Sequence, residues 1–422
     1  MVENRRRTIK NKHALGLDSG TLNRKAVLVS VKEDSKFKYF RRTGEMNREI
    51  KKLLKIVEEK KRIDSQGKDK IADVLENKNI DILPLIFWKP QNISVPGSTY
   101  DMEEQFYDKE KMLYGHLEEI ADCAQNAFDA PICIRPNFGT IFIPAMFGLK
   151  YKVPQDTFAW ITSHLSKEEI RKFNFPNLDK IDILKKAIEC IQFFKKTLPE
   201  WIYVYLPDTL GPFEIAHAVY GNNIFYDLYD DSKFVHYLLS LCTDMYIQVT
   251  EKLKEVLGEE KTICYHGHAL SRGIYMRNGG TRISEDSATL ISPQQIDEFV
   301  IPYDQKALEA FGGGFIHFCG ENDYLLESYL KLDKVRAVNL GNPEMYDFDI
   351  TMQKFIDYKK CYFGLWPKED EETLEEYIYR MKQVTGGGRG GLILHFDEAM
   401  FPEYSCQDIL QKWKEIMRSS SE

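Results

Sequence analysis

The sequence of 422 residues lacks the features that mark membrane proteins and nucleic-acid-binding proteins. No apolar run approaches the roughly 20 residues that cross a bilayer, and the basic residues Arg5–Arg7, Lys10 and Lys12 lead into no apolar segment. Positive charge is not in excess, because 57 Lys and Arg face 65 Asp and Glu for a net charge of −8. We therefore expect no membrane span and no nucleic-acid or anionic-lipid partner.

Cysteine is present without a recognisable pattern. The eight cysteines show neither the regular spacing of a disulfide framework nor the short pairs of a zinc ribbon. This predicts a reducing, cytoplasmic location, with most thiols acting as small core residues. Cys319 is the exception, since it follows His317 at the end of an apolar run.

What the sequence does contain, from residue 80 onward, is an alternation of short apolar runs with segments of helical periodicity. That alternation is typical of a parallel sheet wrapped by helices. It predicts an α/β fold: a (β/α)8 TIM barrel over residues 80–422, preceded by an N-terminal extension or lid subdomain over residues 1–79. Eight strands are predicted, at Ile80–Trp88, Pro131–Phe138, Trp201–Leu206, Thr281–Glu285, Gly314–Cys319, Val335–Leu340, Cys361–Leu365 and Gly391–Phe396.

Helical periodicity fills the intervals between these strands. In the first eighty residues, Ala14–Ser30 has strand character and Glu45–Arg62 is a charged amphipathic helix. The polar segment Ile263–Gly280 is too long for a simple connection and is predicted to form loop structure over the barrel mouth. Six further helices are predicted, at Ile181–Thr197, Asp231–Leu257, Pro293–Phe311, Tyr324–Leu332, Thr373–Gln383 and Ser405–Arg418.

The active residues of a barrel are expected where its strands end, because the loops at the carboxyl ends converge on one cavity. Alternate residues on a strand face the same way, so His317 and Cys319 should lie side by side, roughly 6 to 7 Å apart along the strand. Other polar or aromatic candidates at strand ends include Arg135, Asn137, Asp208, Phe213, Glu214, Glu285, Asp286, Asn339, His395, Asp397 and Glu398.

An imidazole and a thiolate that share a cavity suit Zn²⁺. Catalytic zinc sites use three protein donors and leave a fourth position open. The third donor must come from elsewhere, and the end of the last strand offers His395, Asp397 or Glu398. A His-x-Cys pair also arises by chance, and a buried cysteine is usually only a small apolar residue.

Two other features resemble binding sites but have simpler structural interpretations. The run Gly386–Gly391 resembles a phosphate loop, but it precedes a strand and presents no helix N-terminus, so we place it at the opposite, stabilising face of the barrel. His266 and His268 could bind metal or substrate. Two solvent-facing histidines on a polar loop is the more ordinary interpretation.

Four segments, in order, resemble the uroporphyrinogen decarboxylase superfamily. They cover about half the chain, from near Asp208 to Glu398. Each segment alone has low specificity for the superfamily. The segments are LGPFEIAHAVYG at 210–221, ISEDSATLISPQQIDEFVIP at 283–302, FIHFCG at 315–320 and VNLGNP at 338–343. The resemblance implies a TIM-barrel enzyme.

The superfamily has two branches, and the resemblance favours one. Its decarboxylases carry an arginine-rich clamp near the N-terminus, which is not recognisable before Ile80, and have Tyr and Ser where this chain has His217 and Asp286. Its thiol methyltransferases carry His-x-Cys-Gly, matched here by His317–Gly320, and a late zinc-binding Cys. That Cys falls at or near Glu398 in this chain.

The resemblance thus implies a zinc-dependent methyltransferase that moves a methyl group between a corrinoid co-substrate and a small thiol-type acceptor. His317 and Cys319 would bind zinc, with Glu398 or His395 completing the set. A separate corrinoid protein and a homodimer are possible partners. The implied catalytic residues are Asp286, His217, Asp208 and Glu214, and the implied substrate-binding residues are Arg135, Asn137, Phe213 and Asn339.

Two alternatives stay open. The first is a metal-free decarboxylase of a tetrapyrrole or another carboxylated substrate, using Arg135, His217 and Asp286 to stabilise charge. The second is a corrinoid- or tetrapyrrole-binding protein without catalysis, because a fold does not fix a function.

Overall fold

The structure is a computed structural model that describes residues 35–60, 62–63, 67–78, 80–88, 99–123, 127–267, 273–388 and 390–419. The chain divides into two compact units, Met1–Glu45 and Met46–Glu422, and the fold below belongs to the second, except that the helix Ser35–Lys60 begins in the first. This division does not test the domain boundary predicted at residue 79, which stays a prediction. Ala14–Ser30, predicted to have strand character, lies outside the described residues.

Eight strands follow one another along the chain in parallel arrangement. All eight predicted strands are confirmed: seven lie within their predicted ranges, and the last extends one residue further, to Asp397. Their bounds are β1 Leu85–Trp88, β2 Ile132–Ile134, β3 Ile202–Val204, β4 Thr281–Ser284, β5 Gly314–Phe318, β6 Val335–Leu340, β7 Cys361–Leu365 and β8 Leu392–Asp397.

Six of these strands form one parallel sheet in the order β4-β5-β6-β7-β8-β1, and β2 pairs with β3 in a second parallel ladder. The last strand therefore lies beside the first, with His395 opposite Ile86. That adjacency is what a (β/α)8 barrel requires. Among the described strands no ladder joins β1 to β2 or β3 to β4, so the structure shows an α/β fold with a six-stranded parallel sheet, and closure into a barrel stays a prediction.

Helices connect the strands, and their starts are encoded locally. Five of them begin with a capping box, in which the N-cap side chain and the third helical residue bond each other's backbone N–H groups. The helices within the described residues are α1 Ser35–Lys60, α2 Gly67–Leu75, α3 Met102–Tyr107, α4 Lys109–Cys123, α5 Lys167–Arg171, α6 Asp182–Thr197, α7 Pro212–Tyr220, α8 Asn223–Asp230, α9 Ser232–Leu257, α10 Pro293–Phe299, α11 Ile301–Ala310, α12 Asp323–Lys331, α13 Phe348–Asp357, α14 Leu374–Val384 and α15 Cys406–Arg418.

Five of the six helices predicted between strands are confirmed to within one residue at each end. The sixth, Pro293–Phe311, is two helices, α10 and α11, with a break at Val300. The break has a local cause, since Pro302 has no N–H to donate to the preceding turn. The predicted amphipathic helix Glu45–Arg62 is α1, which begins ten residues earlier at Ser35.

Apolar side chains pack on both faces of the sheet. A large cluster fills the space between the strands and the surrounding helices. A smaller cluster joins residues of the strands' inner face, among them Ile86, Phe315 and Phe363, to Ile71 and Val74 of α2. No helix in the described residues is long and apolar enough to cross a membrane.

The prediction for Ile263–Gly280 was wrong in both form and place. Cys264–His266 and Ile274–Met276 form an antiparallel hairpin, and Cys264, Ile274 and Met276 belong to the smaller apolar cluster with α2. The segment leads directly into the first residue of β4, so it covers the amino ends of the strands and not the carboxyl ends. His266 is buried and not solvent-facing, and His268 lies outside the described residues.

Candidate metal centre and active site

Three side chains with metal-binding atoms meet at the carboxyl ends of β4 and β5. Asp286 follows β4, His317 lies on β5, and Cys319 follows β5 by one residue. Their donor atoms all lie within 4.8 Å of one another. His317 Nε2 is 3.5 Å from Cys319 Sγ and 3.8 Å from Asp286 Oδ1. We call these three residues the donor cluster.

A chain of hydrogen bonds fixes the imidazole of His317. Asn339 Nδ2 donates to the backbone oxygen of Phe363 at 2.5 Å, which leaves Asn339 Oδ1 to accept from His317 Nδ1 at 2.6 Å. Because Nδ1 then carries the proton, Nε2 presents its lone pair toward Cys319 and Asp286. Burial, with the charge of Arg282, lowers the pKa of His317 to about 4, so the ring is neutral at pH 7.

The thiol of Cys319 is solvent-accessible on one side and crowded on the other. Its backbone N–H donates to Asp286 Oδ1 at 2.7 Å. Burial by the surrounding atoms, and then the negative charge of Asp286, raises the pKa of Cys319 to about 12. The thiol alone is therefore protonated at neutral pH, and a bound cation would reverse this because coordination removes the proton.

Residues after β6 hold the loop that carries Cys319. Gly341 N–H donates to the oxygen of Phe318 at 2.8 Å, and Gly320 N–H donates to Asn342 Oδ1 at 2.9 Å. A Cβ at Gly341 would overlap Cys319 Sγ and lie 3.0 Å from its Cα. The segments around Cys319 and Gly341 therefore form one structural unit.

A second unit positions Asp286. The N-terminus of α7 donates two backbone N–H groups, of Phe213 at 2.9 Å and Glu214 at 2.7 Å, to the carboxyl group of buried Glu285. Glu214 in turn accepts the N–H of Ser287 at 2.7 Å. Ser287 Oγ lies 2.6 Å from His217 Nδ1. Helix α7 thus binds the residues on both sides of Asp286.

Glu285 and Asp304 are two buried carboxyl groups with raised pKa values. Tyr329 donates its hydroxyl to Asp304 Oδ2 at 2.7 Å, and Asp304 Oδ1 has no hydrogen-bond partner among the described residues. Burial, with the charge of Asp304, raises the pKa of Glu285, and burial raises the pKa of Asp304 to about 7. The pair therefore holds at least one proton near neutral pH.

Below the donor cluster, one carboxylate is bound by two arginines. Asp208 pairs with Arg135 at 3.3 Å and with Arg282 more closely. Burial alone would raise the pKa of Asp208, but the two guanidinium charges hold it below its ordinary value. Two cations against one anion leave an excess positive charge in a buried layer. Arg282 Nε has no hydrogen-bond partner among the described residues.

The remaining predicted site residues lie outside the donor cluster. Asn137 Oδ1 accepts the N–H of Gly139 at 3.2 Å, and the ring of Phe213 is fully buried in the large core. Buried His395 packs 4.4 Å from the ring of Phe363, and burial lowers the pKa of His395 to about 3. Glu398 is half-buried beside Cys406, and it raises the pKa of that thiol in addition to burial.

The donor cluster is the one group of three or more His, Cys, Asp or Glu donors found among the described residues, and it contains neither Glu398 nor His395. Their role as zinc ligands stays a prediction. Sequence reasoning missed Arg282 and Asp304. Arg282 had a signal, because a charged side chain within a strand of a parallel sheet that is covered on both faces must be buried and therefore paired.

Comparison with known proteins supports the fold alone. No protein-family model matches the sequence, and no curated protein is significantly similar to it. Twenty chains of known structure match. One is a methyltransferase from Methanosarcina mazei, 13% identical, with a TM-score of 0.57 over 83% of this chain and 98% of that one.

Proposed function

We propose that the protein is a methyltransferase that binds Zn²⁺ at the donor cluster and moves a methyl group between a corrinoid co-substrate and a small thiol-type acceptor. The observation that carries the proposal is the convergence of Asp286, His317 and Cys319 within 4.8 Å. The fold likeness to a methyltransferase over most of both chains supports the reaction class.

The donor cluster fits zinc in chemistry and in protonation. It offers one nitrogen, one sulfur and one oxygen donor, and zinc binds all three types. The Asn339 hydrogen bond directs the lone pair of His317 Nε2 at the other donors. Such a partner on the distal nitrogen typically orients a metal-binding histidine. Asp286 replaces Glu398 or His395 as the third donor in this proposal.

Zinc bound there would supply one piece of chemistry: it would lower the pKa of a coordinated thiol, producing a thiolate nucleophile at neutral pH. The protein's own groups orient the ligands and attract the acceptor. Asn339 orients His317, and the N–H of Cys319 fixes one oxygen of Asp286. Arg135 and Arg282 supply the positive charge that would attract an anionic group on the acceptor.

Metal analysis of purified protein tests the proposal. We expect about one zinc per chain, lost in Cys319→Ser and retained in the control Cys406→Ser, which alters a half-buried cysteine outside the donor cluster. Asp286→Asn should weaken zinc binding while Glu398→Gln leaves it unchanged, and the reverse result would restore Glu398 as the third ligand. Zinc-free native protein that transfers methyl groups from methylcobalamin to a thiol at full rate would exclude the metal.

A metal-free decarboxylase is the second candidate, and one observation favours it. Arg135 and Arg282 converge on a single buried carboxylate, an arrangement that would suit a substrate carboxylate displacing Asp208. Release of CO₂ from carboxylated tetrapyrroles by zinc-free protein, abolished in Arg282→Gln and unaffected in Cys319→Ser, would establish it over the methyltransferase.

A further inference from the structure

We infer that a basic cleft at the amino ends of the strands is a binding site for a small phosphate-bearing anion. The cleft has a volume of about 620 Å³, and the charged side chains that line it are Glu76, Lys78, Lys334, Arg336, Lys359 and Lys360. β6 begins in the cleft at Val335 and ends near the donor cluster at Leu340. At about 3.3 Å per residue the two sites lie roughly 16 Å apart along that strand.

The charged side chains that line the cleft are mostly basic. Five basic side chains and one acidic side chain line it, in a protein whose net charge is −8. The acid, Glu76, is already neutralised: it lies 2.6 Å from Lys78 and 3.4 Å from Arg277. Lys78 also pairs with Asp73 at 3.0 Å. The other four cations of the cleft form no ion pair with a carboxylate in the part of the chain that the structure describes, and the negative charge of Asp333 acts on one of them, Lys360.

Two of those four cations contact only backbone oxygens. Arg336 Nε donates to the oxygen of Asn278 at 2.6 Å, and Lys360 Nζ donates to the oxygens of Leu332 and Val335 at 2.8 and 2.9 Å. A carbonyl satisfies a donor without cancelling its charge. Burial, and then the charge of Arg336, lowers the pKa of Lys360. The like charges are crowded, and a bound anion would relieve that repulsion.

Lys359 has a backbone conformation that is unusual for a residue with a side chain. Lys359 comes one residue after Tyr358, the C-cap of α13, and has a φ of 53°. Helices usually have glycine at this position because a side chain is strained there. Asn77, with a φ of 55°, lines the same cleft and donates to the oxygen of Lys359 at 2.9 Å. Glycine would form this turn with less strain, so the backbone geometry does not explain a lysine at this position. Binding of an anion by the ammonium group would explain it.

Size and charge together select the ligand class. A volume of 620 Å³ falls within the roughly 300 to 1,000 Å³ typical of small-molecule sites. Lysine ammonium groups act as compact point charges and are common phosphate binders, whereas planar carboxylates are matched best by arginine forks. Four cations without an ion-pair partner favour a ligand with more than one negative charge.

Calorimetric titration with inorganic pyrophosphate at constant ionic strength tests the inference. We expect the double variant K334Q/K359Q to bind pyrophosphate at least tenfold more weakly than the native chain. The charge-matched control K233Q/K414Q, which alters two exposed lysines outside the cleft, should bind with native affinity. Cys319→Ser should also bind normally, so the result does not depend on the proposed zinc site.

Lys359→Gly separates binding from folding. It should weaken pyrophosphate binding without lowering the thermal midpoint, because glycine tolerates a positive φ. Three results would overturn the inference: no binding by the native chain at millimolar pyrophosphate, equal affinity in the two double variants, or citrate bound as tightly as pyrophosphate.

Discussion

Gly341→Ala tests directly whether Cys319 coordinates a metal, because it adds one methyl group against the sulfur of Cys319. That methyl would overlap Cys319 Sγ and lie 3.2 Å from its Cβ. Carbon atoms in contact settle at about 3.5 to 4.0 Å, so the sulfur must move by roughly 1 Å. Metal sites tolerate about 0.2 Å of deviation in ligand distance.

We therefore expect Gly341→Ala to lower zinc affinity by about 10- to 100-fold, the usual effect of disturbing a residue that supports a metal ligand. The extra volume should also reduce the free energy of unfolding by about 1 to 3 kcal/mol. Competition with a chromophoric chelator measures the affinity, and urea denaturation measures the stability.

Gly390→Ala is the matched control. A Cβ at Gly390 meets no atom within 4 Å, so this variant should bind zinc and unfold as the native protein does. Native zinc affinity in Gly341→Ala would refute the reasoning, since it would mean that the sulfur at this position does not coordinate the metal.

Three further predictions follow from the buried hydrogen bonds. Asn339→Ala leaves the buried Nδ1–H of His317 without its acceptor, which should cost about 1 to 3 kcal/mol of stability and about 10- to 100-fold in zinc affinity; unchanged affinity would mean that this ring orientation is unimportant. Asp208→Asn leaves Arg135 and Arg282 unneutralised and should cost about 3 to 5 kcal/mol in urea denaturation at pH 7. Because the folded pKa of Asp208 is depressed, that difference should shrink as the pH falls below the unfolded value near 3.8, and a constant difference would contradict it. Asp304 has a raised pKa of about 7, so the native protein should lose stability relative to Asp304→Asn as the pH rises from about 4 to 7; parallel pH profiles would contradict the raised pKa.

The strands were predictable because their signal is local. Most are short apolar runs with a helical segment after them, and β8 is buried at every residue but its last, as expected of a parallel strand that is covered on both faces. The break at Val300 was also encoded, in Pro302, although the helical periodicity on either side concealed it.

The placement of Ile263–Gly280 was not predictable from polarity. A polar segment between a helix and a strand can cover either end of a sheet, and only its packing against α2 decides which. His266 shows the same limit, because a histidine in polar sequence is buried here against Tyr205 at a ring distance of 4.7 Å.

Two of the three residues of the donor cluster followed from strand alternation, since His317 lies on β5 and Cys319 comes two residues later, just after its end. The position of Asp286 beside them did not, because it depends on the register that pairs Ser284 with His317 and on α7 binding the turn after β4. Glu285 follows β4 and Asp304 lies on α11, and no spacing in a sequence shows that these two acids will both be buried.

X-ray absorption at the zinc edge of the purified full-length protein tests the central claim most directly. A site built from Asp286, His317 and Cys319 predicts one sulfur scatterer at about 2.3 Å, with nitrogen and oxygen scatterers at about 2.0 to 2.2 Å. A zinc shell without sulfur, or protein that retains no zinc, would contradict it.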